Sequence, residues 1–125
     1  MILLMICVVS CNSIDNNQLD RDSQLLAGLY CKAKEIRIRR FDLADRIRFT
    51  EDTLIMKEFK SNFFYQKRLD SLSAFKEPLT NLTKILSDSI FITQKKLYSK
   101  IYNSPEKKNL LDLAFKQAVE KICPD

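Results

Sequence analysis

From Leu26 onward the apolar positions recur in alternating steps of three and four: Leu26, Leu29, Ala33, Ile36, Arg40, Leu43, Ile47, Thr50 and Leu54. Seven of those nine are apolar. A seam that persists this long, with charges crowding the other faces, predicts one long helix. Asp22 or Ser23 is its expected N-cap. Lys60-Ser61-Asn62 interrupts the pattern and is the expected first turn. A second run follows through Leu69, Leu72, Phe75, Leu79, Leu82, Leu86, Ile90, Leu97 and Ile101. Pro78 lies inside it, and the lost backbone donor predicts a kink or short break near Lys76-Glu77. The third start is the plainest: Ser104 as N-cap, Pro105 at the first helical position, Glu106 next. Leu110, Leu111, Ala114, Ala118, Val119 and Ile122 then share one face, and Pro124 closes it.

Two long helices and a shorter C-terminal one, joined by brief turns, predict an all-α fold, specifically an antiparallel three-helix bundle. Composition agrees, because one glycine and three prolines in 125 residues leave little material for the turns of a β protein. Phe59, Phe63, Phe64 and Tyr65 surround the first turn. They read either as a plug for the end of the core or as a partner surface, and the plug is favoured.

The N-terminus obeys a different pattern. Met1 to Val9 carries no charged residue, and the chain turns abruptly polar after Cys11. Nine apolar residues cannot span a hydrocarbon core, which needs about twenty in a helix. They do suit the apolar region of a secretory signal, with a buried N-terminal element as the alternative. Residues 1–10 then form the signal, 11–21 a flexible polar tether and 22–125 the helical domain.

Val8-Val9-Ser10-Cys11 resembles the lipobox of bacterial lipoproteins: an aliphatic residue, a permissive one, a small one, then the cysteine. The resemblance covers these four residues and the apolar run before them. Two features depart from the family pattern, Val in place of the commoner Leu at the first position and no Lys or Arg ahead of the apolar run. The resemblance implies cleavage before Cys11, a diacylglyceryl group on its thiol and acylation of the new amino terminus. It also implies a membrane partner through that lipid and, with Asn12 rather than Asp next, onward transport to the outer membrane. Two or three acyl chains, at about 0.8 kcal/mol per buried CH2, anchor a small domain stably. An ordinary cleaved signal that releases soluble protein is the competing reading.

Cysteine counting separates the two. The four cysteines are Cys7, Cys11, Cys31 and Cys123. Lipidation discards the first and consumes the second, leaving an even pair, whereas soluble release leaves an odd thiol. Cys31 lies about 20 Å along the first helix and Cys123 about 28 Å along the third, running the same way, at 1.5 Å per residue. A modest stagger permits a disulfide, which an oxidising compartment would form; two separate buried thiols are the alternative. In the chain-entropy model a loop of this length contributes roughly 4 to 5 kcal/mol.

Candidate chemistry is sparse. Histidine is absent, which removes Ser-His-Asp and Cys-His nucleophiles and imidazole metal sites. No cofactor or metal is expected. The net charge is +5 and the sequence pI about 9.1. Acidic residues are interspersed throughout, so a solvated helical surface is favoured over a nucleic-acid site. The densest polar segment, Arg37 to Asp52, offers Arg37, Arg40 and Arg46 as contacts for an anion or a partner. Its blander reading is intrahelical pairing (Glu35–Arg39, Asp42–Arg46, Arg48–Asp52) with Arg40 partly buried against a neighbouring helix's carboxylate. Asp42 with Asp45, or Glu51 with Asp52, makes a poor glycosidase pair, since carboxylates beside arginine on an open helix stay ionised. Asn81-Leu82-Thr83 matches the glycosylation sequon, which carries no weight in a bacterium. The sequence thus points to a membrane-anchored, non-enzymatic helical lipoprotein of the cell envelope that binds a protein or envelope component. The runner-up is a soluble secreted inhibitor or effector, and a cytosolic nucleic-acid binder comes third.

Overall fold

The computed structural model describes residues 13–56 and 63–125. The segment 1–10 read as a signal, the lipobox-like Val8-Val9-Ser10-Cys11 and the expected turn at Lys60-Ser61-Asn62 lie outside the described residues. Four helical segments follow in order: α1 Asn16–Met56, α2 Phe63–Ser73, α3 Lys76–Lys100 and α4 Pro105–Ile122. The class is all-α. The long α1 packs along each of α2, α3 and α4.

α1 starts at Asn16, upstream of the expected Asp22 or Ser23, and takes in most of the segment read as a tether. The Asp15 side chain accepts from the Asn17 N–H at 3.2 Å, and its carbonyl accepts from Gln18 and Leu19. That is an Asx start to a helix, satisfying donors that would otherwise be orphaned. Its packing explains the early start: Ile14 and Leu19 lie against a core cluster of Leu26, Leu97, Tyr102 and Leu111. Two apolar side chains in a polar stretch are enough to fold it. Asp22 and Ser23 take other roles. The Ser23 hydroxyl donates to the Asp20 carbonyl at 2.9 Å, and Asp22 accepts from Tyr102.

The break expected near Lys76-Glu77 falls at Ala74-Phe75. Pro78 therefore sits in the first turn of α3, where a missing N–H costs no intrahelical bond. Ser104 caps α4 as expected, in extended conformation, its Oγ accepting from the Lys107 N–H at 3.3 Å with Pro105 at the first position. The Leu97 carbonyl accepts from both Ile101 and Tyr102, closing α3 so that Tyr102 turns inward.

The expected seam of α1 is largely realised: Leu26, Ile36, Leu43, Ile47 and Thr50 are buried. Arg40 departs from it. It is exposed and reaches Thr83 rather than a carboxylate, because a guanidinium at the edge of the α1–α3 groove keeps its hydration there. Of the aromatics around the first turn, Phe63 and Phe64 are 80% and 67% exposed. They do not plug the core, since α2 buries none of its residues. Phe59 lies outside the described residues.

Cys31 and Cys123 form a disulfide, with Cα atoms 5.9 Å apart and a sequence separation of 92. The Tyr30 and Phe115 rings meet edge to face at 5.7 Å, and Lys34 pairs with Asp125. These contacts fasten α4 along the first half of α1.

Candidate functional site

The described surface has one place where expected contact residues meet. Lys34, Arg37 and Arg40 are spaced by three along α1, which puts them on one edge facing α3. Across the groove α3 offers Thr83 and Ser87, one turn apart, and Tyr30, Ala33 and Ile90 help line a hollow of about 220 Å³. Arg40 Nη1 donates to Thr83 Oγ1 at 3.5 Å, a long contact that leaves its other donors available. The Thr83 hydroxyl donates to the Leu79 carbonyl at 2.8 Å. A second hollow of about 210 Å³ continues the groove past Arg40, between Leu43 and Ala44 on α1 and Lys76, Leu79 and Thr80 on α3. Four cationic side chains therefore follow one groove.

Arg46 is not part of it. Its Nε donates to Asp42 Oδ2 at 2.9 Å on the outer surface of α1, and Arg39 is likewise held by Glu35. The third expected pair does not form, and Arg48 and Asp52 make no ion pair. At the upper end of the groove Asp125 holds Lys34, whose hydrogen bond and charge keep the Asp125 carboxyl below its usual range. Of the three cations that α1 contributes, Arg37 is thus the least encumbered. Its spacing from Lys34 and Arg40 is visible in the sequence. The hydroxyls of Thr83 and Ser87 are not, because nothing local assigns them to the same groove.

Two other hollows differ in chemistry. One of about 240 Å³ lies among α1, α3 and α4, lined by Leu26, Ile90, Tyr98, Asp112 and Phe115 among others. There the Tyr98 hydroxyl donates to Asp112 at 2.6 Å and the Lys108 ammonium lies 5.4 Å from the Tyr98 ring centre. Partial burial, reinforced by Asp112, raises the Tyr98 pKa. A hollow of about 460 Å³ lies between the start of α1 and the end of α4, with Ser23, Ala114 and Ala118 in its lining. Small side chains on both helices leave that space.

Among the described residues no group of three or more His, Cys, Asp or Glu side chains could hold a metal ion. Nor is any helix among them long and apolar enough to cross a membrane. What the groove can do is bind: guanidinium and ammonium groups beside hydroxyl donors suit a carboxylate or phosphate. No family model, curated protein or solved structure matches the chain.

Proposed function

We propose that this chain is a lipid-anchored, non-enzymatic domain of the bacterial cell envelope. Acyl chains on Cys11 hold it, and it binds an anionic protein or envelope component along the Lys34–Arg37–Arg40 groove. The Cys31–Cys123 disulfide carries the reading. It occupies both cysteines of the helical body, so the remaining two, Cys7 and Cys11, fall in the N-terminal run. A stable bridge of this kind belongs to an oxidising compartment, which is where a lipobox delivers a protein.

The arm formed by α2 and α3 runs against α1, and α4 runs with it, as an antiparallel three-helix bundle. This arrangement is supported by contacts at both ends: Asp22 meets Tyr102 while Arg40 meets Thr83, and Tyr30 meets Phe115 while Lys34 meets Asp125. Asn16, where α1 begins, is five residues beyond Cys11, a span of at most about 18 Å. Arg37 stands 21 residues further along the helix, about 32 Å at 1.5 Å per residue. At that distance from the anchored end, the groove addresses a partner in the envelope space rather than the headgroups beside the anchor, with the outer membrane as the expected location.

The test is the intact mass of protein recovered from the host's membrane fraction. The expected mass is that of residues 11–125 plus acyl groups, less two hydrogens. An unlipidated product beginning at Cys11 would replace the anchor with secretion, and a chain retaining Met1 would overturn export altogether.

A further inference from the structure

α1 has a second apolar seam. Along its first half the positions facing α4 are identifiable from direct contacts. Asn16, Asp20 and Ser23 line the α1–α4 hollow, Tyr30 meets Phe115, Cys31 is bonded to Cys123 and Lys34 is paired with Asp125. Ala27, on the same line, is wholly buried. At 100° per residue these positions share one face, and continuing it gives Ile38, Phe41, Asp45, Arg48, Phe49 and Asp52, with Ile55 at its edge. The helix runs on to Met56, but α4 ends at Ile122, near the level of Lys34. The continued face is accordingly bare: Ile38 is 57% exposed, Phe41 67%, Phe49 73% and Ile55 76%. Single exposed apolar residues are ordinary on a protein surface, whereas four within about a third of the helix circumference mark a contact surface.

The charges on the seam say what covers it. Each arginine between Ile36 and Ile47 either has a partner or lines the groove, yet Asp45 and Arg48 sit mid-seam with neither hydrogen bond nor ion pair. They are three residues apart, so a twofold axis between Arg46 and Ile47 brings each opposite its complement. We propose that this face of α1 binds the same face of a second copy of the chain, the two helices antiparallel. Asp45 of each copy then meets Arg48 of the other, twice. On the same axis Ile38 of one copy faces Ile55 of the other and Phe41 faces Asp52, with Phe49 beside the axis. A helix face whose apolar residues flank a self-complementary charge pair fits its own copy better than an unrelated partner.

The experiment is sedimentation velocity on the full oxidised chain over a concentration series from micromolar upward. The wild type shows a concentration-dependent dimer. Asp45→Arg and Arg48→Asp each weaken it by at least about tenfold, because each reversal places like charges in contact at two points. An equimolar mixture of the two variants restores a dimer, now heteromeric. One variant then carries two arginines on the seam and the other two aspartates, so opposite charges again meet at both points. Circular dichroism of each variant, unchanged in helicity, separates lost association from lost folding. A wild type that stays monomeric would overturn the proposal, as would reversals without effect or a mixture that fails to reassociate.

Discussion

Tyr102 is wholly buried, and its hydroxyl donates to Asp22 Oδ2 at 2.9 Å across 80 residues of sequence. The contact joins the turn after α3 to the early part of α1 and holds down one end of the molecule. Tyr102→Phe keeps the ring but leaves a half-buried carboxylate without its donor, at an expected cost of about 1–3 kcal/mol. Tyr102→Ala also empties a packed site and costs about 3–5 kcal/mol. Urea unfolding midpoints of the two variants check the order and the size.

The same pair sets a pH dependence. Burial first, then the bond to Asp22 and its charge, raise the Tyr102 pKa above the ordinary 10.0. The folded state therefore holds this proton more tightly than the unfolded chain does. The corresponding stability is fully present below pH 10.0, the ordinary value, and is lost as the pH rises from there toward the folded value. Wild type is expected to lose stability in that alkaline range more steeply than Tyr102→Phe, which lacks the group. Denaturant midpoints measured in steps across that range would show parallel decline if the phenol contributes nothing.

The disulfide predicts a matched pair of losses. Cys31→Ser and Cys123→Ser remove the same cross-link, so both lower the melting temperature of oxidised protein by similar amounts. The ceiling is roughly 4 to 5 kcal/mol from loop closure. Reductant added to wild type reproduces the shift and leaves either variant unmoved. Wild type melting identically with and without reductant would mean that the bridge contributes nothing.

How far the sequence reveals this molecule depends on whether the relevant signal is local. Ser104-Pro105-Glu106 is a cap written into adjacent residues, and α4 starts there. Pro78 announces a break, although the chain places it at Ala74-Phe75 so that the proline enters the first turn. The seam from Leu26 to Thr50 is periodic and largely buried, apart from Arg40. The second seam of α1 is hidden in the sequence because its first half is built of small residues, Ser23, Ala27 and Cys31, whose role appears only once α4 lies on them. Tyr102 looks like one residue of a turn, and only tertiary packing makes it the most enclosed aromatic side chain among the described residues. Within the groove, Arg37 and Arg40 are legible by spacing. Arg46 is legible only as half of its pair with Asp42, and Thr83 and Ser87 require the approach of α3.

That division of the arginines gives a prediction for binding. Arg37→Ala and Arg40→Ala each remove charge-assisted donors from the groove and are expected to weaken binding of an anionic polymer roughly tenfold or more. Arg46→Ala removes a cation already neutralised by Asp42 on the outer surface and should leave binding unchanged. Fluorescence anisotropy with labelled polyglutamate at low salt provides the comparison. Equal losses for all three variants would mean that net charge, not the groove, attracts the polymer.

If Cys11 is acylated as proposed, the early start of α1 sets how closely the domain sits to the bilayer. If residues 16–22 are part of the fold, their amides resist hydrogen exchange and Leu19→Ala destabilises the whole domain. The expected loss is about 1–3 kcal/mol, below the full core value because Leu19 is only half-buried. If they form a tether, those amides exchange freely and Leu19→Ala changes nothing. The two cases also give different reach. A helix beginning at Asn16 leaves four residues between it and Cys11, so an acylated cysteine holds the Asp22–Tyr102 end of the domain close to the bilayer. A tether running from Cys11 up to Asp22 would let the domain stand off by up to about 40 Å when extended. Exchange measured on the lipidated protein in vesicles decides between a domain held against its membrane and one free to move above it.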